Sequence, residues 1–284
     1  MIVVTGATGK LGSAIVRSLL GRSLGSKVVA SARSPEEASE LSALGVEIRQ
    51  GDFAKPETLK SAFAGAGQVL LVSSNAAAYG EDPVAQHRAA IQAAKAAGAR
   101  RVLYTSHVGA SETSLFAPML THAATERMLA ESGLAWTSLR NGFYASSALG
   151  FIGNGLKSGT ISAPLDGKVA WTTHADLAEA AAAILASEGS FDGPTVLTGG
   201  EALDMDDLAR IASEVLRREI RRVVVPDEDF EADLVVRHVP LPLVRITLGF
   251  YAASRNREFA RVDGTLASLI GRKPQSMRDV FGQL

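Results

Sequence analysis

Three glycines spaced G-x-x-G-x-x-G, in Thr5-Gly6-Ala7-Thr8-Gly9-Lys10-Leu11-Gly12, sit between two apolar segments of different period. Met1 to Val4 is a short continuous apolar run, as in a buried strand. Ala14 to Leu20 has helical apolar spacing, with Gly21 as its expected stop. Strand, glycine turn and helix in this order form the first half of a dinucleotide-binding unit. Gly6 lets the chain turn sharply off the strand. Gly9, without a Cβ, lets the backbone approach a pyrophosphate, and Gly12 lets the helix pack close to the strand. The helix start adds free N–H groups and partial positive charge for the phosphates. The candidate phosphate cradle is therefore Gly6, Ala7, Thr8, Gly9, Lys10 and Leu11. The competing reading is a glycine turn that serves packing alone.

Lys27 to Arg33 reads as the second strand. An NAD-preferring site places an Asp or Glu about 20 residues past the glycines, on the ribose 2′-hydroxyl. Here that region is Ser31-Ala32-Arg33, with no carboxylate. A guanidinium attracts a 2′-phosphate, whereas a carboxylate repels one, so Arg33 points to NADP(H). As an alternative, Arg33 is a solvated loop residue. Ser34-Pro35-Glu36-Glu37 has the pattern of an N-cap, proline and acidic first turn. Val46 to Gln50 alternates as a third strand, followed by Asp52 and Phe53 on the adenine side. There Asp52 either accepts from the adenine amine or is a turn carboxylate.

The alternation continues. Pro56–Ala64 is a helix, and Val69–Val72 an apolar strand ending in Ser73, Ser74 and Asn75. Asp82–Ala97 is an alanine-rich helix. Arg101–Ser106 is a strand ending in Thr105 and Ser106, Pro118–Ser132 a helix, and Ala135–Arg140 a strand ending in Asn141, Gly142, Phe143 and Tyr144. Ligands of doubly wound sheets lie beyond the carboxyl ends of the strands, which directs these polar residues to the cofactor. The expected fold is α/β, a doubly wound parallel (Rossmann) sheet over residues 1–150. Segments within 168–198 are expected to complete the sheet: a short strand near Val169–Trp171, a helix at His174–Ser187 and a strand at Thr195–Leu197. Residues 151–284 form a smaller, mainly helical substrate-binding cap, with helices near 205–217, 228–236 and 241–253 and one strand at Arg221–Val225.

Composition narrows the function classes. The 284 residues carry 29 basic and 30 acidic side chains, net charge −1, which argues against nucleic acid or an anionic membrane as partner. Without cysteine, disulfides, thiol catalysis and thiolate metal sites are excluded. His87, His107, His122, His174 and His238 show no metal-ligand spacing, so no metal site is expected. No apolar run approaches the roughly 18 residues of a membrane span. With Met1 leading straight into the first strand, a cytoplasmic protein is expected.

A dinucleotide fold that reduces ketones needs a proton donor. Short-chain dehydrogenases use Tyr-x-x-x-Lys on the helix after the fifth strand. This chain has His122-Ala123-Ala124-Thr125-Glu126 there, an acid at the lysine position. The glycine motif, Arg33, Tyr104-Thr105-Ser106, Glu126 to Gly133, and Leu139-Arg140-Asn141-Gly142-Phe143-Tyr144 together resemble the NmrA-like atypical short-chain dehydrogenases, in particular the bacterial NADPH-dependent quinone oxidoreductases of type 2. The likeness runs to Leu269-Ile270-Gly271. It implies NADPH held by Gly6 to Leu11, Arg33, Ser73 to Asn75 and the Asn141 loop, with a quinone in the cleft between the two regions. Lys10, often another polar residue in this family, adds an amine for the phosphates.

Chemistry explains how the acid can be omitted. Hydride addition to a ketone develops a strongly basic alkoxide that needs protonation. Addition to a quinone gives a phenolate whose conjugate acid has a pKa of about 10, by analogy with tyrosine. Face-to-face positioning of nicotinamide and quinone then supplies most of the catalysis. His122, Asn141 and Tyr144 are the candidate catalytic residues, as hydrogen-bond donors or walls. Phe143, Tyr144 and Trp171 are either apolar walls or ordinary core. The expected partners are a small-molecule electron acceptor and a second copy of the chain in a homodimer. Two other readings compete: a non-enzymatic NADP(H) sensor, and an NADPH-dependent carbonyl, imine or azo reductase using His122 or Tyr144 as donor.

Overall fold

The computed structural model describes residues 1–22, 27–187 and 191–284. Its strands are β1 (Ile2–Val4), β2 (Val28–Ala32), β3 (Glu47–Gln50), β4 (Gln68–Leu71), β5 (Arg101–His107), β6 (Ala135–Asn141), β7 (Phe143–Tyr144), β8 (Thr160–Ala163), β9 (Trp171–Thr172), β10 (Gly193–Leu197) and β11 (Arg221–Val224). Seven of them form one parallel sheet in the order β10-β6-β5-β4-β1-β2-β3. The chain runs outward from β1 to β3, then returns to β4 on the other side. Between β1 and β4 lies the switch point where such sheets open a ligand crevice. Thr5 closes that seam: its hydroxyl donates to the Leu70 carbonyl at 3.2 Å and accepts from the Val72 N–H at 3.0 Å.

Both faces of the sheet are covered, which explains why β1, β2 and β4 read as continuous apolar runs. On one face lie α1 (Lys10–Gly21), α8 (His174–Ala186) and α12 (Thr265–Ile270). Leu11, Ile15, Val16 and Leu19 of α1, at helical spacing, pack with Leu177, Ala181, Ile184 and Leu185 of α8 and with Leu266. On the other face lie α3 (Pro56–Ala62), α4 (Pro83–Ala96) and α5 (Ala117–Glu131), through Leu59, Phe63, Ile91 and Leu129. Asp82 caps α4, accepting from the N–H groups of Val84 and Ala85 at 2.8 and 3.1 Å, with Pro83 at the first helical position.

Local differences from the sequence expectations have simple causes. Ser34 is extended before Pro35, but its hydroxyl makes no cap bond, and Pro35–Ala38 forms a 3-10 turn before α2 (Ser39–Ala43). α1 runs through Gly21 and is capped by Arg22, whose N–H reaches the Leu19 carbonyl at 3.2 Å. Val169 makes only an isolated bridge to Leu203, and the strand there is the two-residue β9.

The rest of the chain is α6 (Ala145–Ile152), α7 (Gly155–Ser158), α9 (Met205–Leu216), α10 (Asp227–Val236), α11 (Leu241–Arg255) and α13 (Met277–Phe281). These helices, with the small sheet of β8 and β11, enclose a second core containing Phe116, Ile161, Trp171, Leu208, Phe250, Tyr251 and Phe259. The tail is tied back by Asp176, a fully buried carboxylate near the start of α8. It accepts from Arg272 Nη1 at 2.7 Å, the Gln275 N–H at 2.8 Å and the Thr173 hydroxyl at 2.8 Å. Among the described residues, no helix is long and apolar enough to cross a membrane.

Candidate active site

The glycine turn has the shape its residues require. Gly6 has φ +58°, a left-handed conformation that favours glycine. A Cβ on Gly12 would lie 2.2 Å from the Gly6 carbonyl oxygen, so α1 abuts the turn only with glycine there. Ala7 and Leu11 are buried and anchor the turn, while Gly6, Thr8, Gly9 and Lys10 are exposed at the start of α1. The Ala7 N–H bonds the Ser31 carbonyl at 3.2 Å, which sets the turn beside the end of β2. Arg33 follows β2, exposed, in no ion pair among the described residues. Its carbonyl accepts a long bond from Gln50.

The adenine-side residues divide. One carboxylate oxygen of Asp52 accepts from the Ala54 N–H at 3.0 Å, which stabilises its own turn. Phe53 is half-buried and packs on the core. Beyond β4, Ser74 is committed internally: its hydroxyl donates to Gln86 at 2.6 Å, and its N–H goes to His87 Nε2 at 2.8 Å. Ser73 N–H reaches the Thr105 hydroxyl at 2.8 Å, and Asn75 is exposed. Thr105 and Ser106 are buried at the end of β5, and Ser106 donates to Glu126 at 2.7 Å. Thus the hydroxyls of Ser74, Thr105 and Ser106 are committed to neighbouring side chains, while Asn75 is exposed.

Glu126, at the lysine position of the dehydrogenase pair, is 7% exposed and accepts four bonds. Arg140 reaches both carboxylate oxygens, at 3.0 and 2.6 Å, and Ser138 and Ser106 donate at 2.6 and 2.7 Å. Burial pushes its pKa up, but the bonds from Arg140, Ser138 and Ser106 outweigh this and hold it below the ordinary carboxylate value. An acid here joins α5 to β5 and β6. It serves structure where a lysine would serve chemistry.

One turn earlier, His122 Nδ1 lies 2.8 Å from the Tyr104 hydroxyl. Burial, only partly offset by Glu126, lowers the His122 pKa to about 4. Burial also holds the Tyr104 phenol well above its usual value. Both are therefore neutral at pH 7. In the tautomer that lets Tyr104 donate to Nδ1, the imidazole proton sits on Nε2, as a donor rather than an acid. His107 was missed in the sequence except as a non-ligand. Its ring stacks on that of His122, centroids 6.3 Å apart, and meets Phe143 edge-on at 4.9 Å. The Gly109 N–H donates to His107 Nδ1 at 3.0 Å, which puts the His107 proton on Nε2, a buried atom without a partner among the described residues. No spacing rule reveals this pair, because it depends on β5 and α5 meeting in space.

The Asn141 segment owes its shape to Gly142. A Cβ there would lie 2.2 Å from the Thr172 hydroxyl and 2.6 Å from the Ala170 carbonyl, so β7 meets β9 only through glycine. Asn141 is 2% exposed, and its side-chain oxygen has no partner among the described residues. Burial raises the Tyr144 pKa, and a hydrogen bond from Asn141 offsets part of this. The Tyr144 ring lies 4.2 Å from that of His174, the first residue of α8. Phe143 sits in an aromatic layer with Phe116, Phe250 and Phe259. Trp171, considered as a wall, belongs to the core: it is 3% exposed and its indole N–H bonds the Leu203 carbonyl at 3.1 Å.

A dinucleotide-binding sheet whose crevice holds neutral donors and no tyrosine–lysine pair defines an atypical short-chain dehydrogenase. The chain belongs to the NmrA-like family, whose model matches residues 1–264. It is 37% identical over 243 residues to quinone oxidoreductase 2 of Escherichia coli, covering 85% of this chain and 83% of that protein. The crystal structure of that NADPH-dependent quinone oxidoreductase with NADPH superposes with a TM-score of 0.92, at 33% identity, over 100% of this chain and 99% of that one. The Citrobacter sp. triphenylmethane reductase complexed with NADP(H) gives 0.90 at 32% identity, over 100% and 99%. The NAD(P)H azoreductase of Xenophilus azovorans is 29% identical, over 98% of this chain and 96% of that protein.

Proposed function

We propose that this protein is an NADPH-dependent oxidoreductase that reduces quinones and similar conjugated acceptors. The observation that carries the reading is the use of Glu126 as a structural brace beside a neutral His122: the crevice is built to orient an acceptor, not to protonate an alkoxide. Named activities of the relatives, toward quinones, azo compounds and triphenylmethane dyes, support the same class.

The residues fit the cofactor. The exposed turn at Gly6, Thr8 and Gly9 is a cradle kept open by the two glycines, Lys10 and Arg33 are exposed cations in no ion pair among the described residues, and the Asn141 oxygen is a buried acceptor without a donor among them. When bound, NADPH supplies the hydride. The chain's own residues do the rest. The glycine turn and Lys10 hold the pyrophosphate, and Arg33 the 2′-phosphate. Tyr144 and Asn141 orient the nicotinamide end, with the aromatic layer around Phe143 excluding water. His122, held by Tyr104, donates a hydrogen bond to an acceptor oxygen. No side chain needs to surrender its proton, because a phenolate product of pKa about 10 is protonated by water.

The test is NADPH oxidation by flavin-free protein against quinones, azo dyes, imines and ketones. Turnover with quinones or azo dyes and little with ketones is expected. Tight NADPH binding without turnover on any acceptor would favour a sensor. Preferential ketone or imine turnover would favour a carbonyl or imine reductase.

A further inference from the structure

A second cavity, of about 900 Å³, opens in the cap between α6, β8, α10 and α11. It includes none of the residues assigned above to the cofactor or the acceptor. Between it and the crevice stands an aromatic partition: Phe151 stacks on Phe250 at 4.0 Å, and Phe250 meets Phe143 at 5.0 Å. The volume lies in the range of small-molecule sites, which combine apolar walls with a few polar groups.

Its lining has a definite chemistry. Phe151 and Phe230 are half-buried walls. Both pack steeply on the ring of the fully buried Tyr251, at 6.0 Å and 70° and at 5.5 Å and 82°. The Tyr251 hydroxyl has no partner among the described residues. Three charged residues line the cavity: Asp229, Asp233 and Arg237. Asp233 neutralises Arg237 at 2.9 Å, whereas Asp229 makes no ion pair among the described residues. Two half-buried phenylalanine rings and an unpaired carboxylate lining one cavity are the elements that recognise an organic ammonium through cation–π attraction and charge.

We propose that this cavity binds an organic cation, an aryl- or alkylammonium compound, at a site separate from the hydride-transfer crevice. Phe151 touches both the cavity and the partition, so an occupant would rest against the wall that supports Phe143.

The experiment is calorimetric titration of the full-length protein with benzyltrimethylammonium chloride, and with sodium benzenesulfonate as the anionic counterpart. Saturable one-to-one binding of the ammonium alone is expected, with the same affinity at saturating NADPH. Asp229→Asn, at the exposed rim, and Phe230→Leu, in the wall, should each weaken binding about tenfold, the scale of one lost charge or cation–π contact. The Asp229→Asn melting temperature and the NADPH affinity of both variants should match wild type, which separates loss of the site from loss of fold. Absence of saturable binding, equal binding of the sulfonate, indifference to both substitutions, or displacement of the ammonium by NADPH would each overturn the proposal.

Discussion

Arg140 donates to both carboxylate oxygens of Glu126, at 3.0 and 2.6 Å, across the gap between β6 and α5. Two serines complete the carboxylate's shell, so a buried carboxylate is satisfied by a half-buried guanidinium. Removing the guanidinium leaves the carboxylate charged and buried. Arg140→Met should therefore destabilise the protein by about 3–5 kcal/mol, the scale of breaking a buried pair. Urea unfolding at pH 7 measures this. A loss below about 1 kcal/mol, the value of an exposed pair, would show that the network carries little of the fold.

The same unit sets one limit of acid stability, and the histidines another. Glu126 has a depressed folded pKa, so its contribution is present above its unfolded value of about 4.3 and is lost as pH falls through the lower folded value. His87 and His122 have folded values lowered to about 3 and about 4, chiefly by burial. The unfolded chain then binds more protons, so stability is full above about pH 6.5 and falls as pH drops toward the folded values. The slope is up to about 1.4 kcal/mol per pH unit for each histidine. Melting temperatures from pH 7.5 to 4.5 should decline first in this histidine window. A flat profile down to pH 5 would show that the imidazoles are hydrated.

Gly142→Ala tests the close crossing of β7 and β9. Its Cβ would meet the Thr172 hydroxyl and the Ala170 carbonyl, so overpacking should cost about 1–3 kcal/mol. The displaced Asn141 and Tyr144 should also weaken NADPH binding. Wild-type stability with unchanged affinity would show that this segment is more pliable than its contacts suggest.

Cofactor preference rests on Arg33. Arg33→Ala should weaken NADPH binding by about 1.5–3 kcal/mol, the value of a hydrogen bond to a charged group, and leave NADH nearly unchanged. Titration of both cofactors against wild type and variant decides it; equal losses would remove Arg33 from the 2′-phosphate.

Much of this arrangement was legible in the sequence because local rules carry it. The glycine turn, the period-2 and period-3.6 segments and Asp82-Pro83 each specify an element without long-range information, and the resemblance was carried by residues of the same turn and of the Asn141 segment. What was hidden depends on contacts distant in sequence. Glu126 reads as an anomaly until Arg140, Ser106 and Ser138 come round it. Ser74, Thr105 and Ser106 look available for a ligand until their hydroxyls meet Gln86, Ser73 and Glu126. The stack of His107 on His122 joins the end of β5 to α5, and Trp171 becomes core only when Leu203 reaches its indole. Asp176 shows its role only once the tail returns with Arg272 and Gln275.

The central claim is that quinone reduction here requires no side-chain proton donor. The direct measurement is kcat/KM for a benzoquinone, across pH 5.5 to 8.5, in wild type, His122→Ala and Tyr144→Phe with NADPH affinity checked in each. The account predicts losses smaller than the 10²–10⁴-fold typical of removing a general acid, and no essential ionisation near pH 6.5. A loss of 10³-fold or more for His122→Ala, with fold and NADPH affinity intact, would contradict it and make histidine the acid.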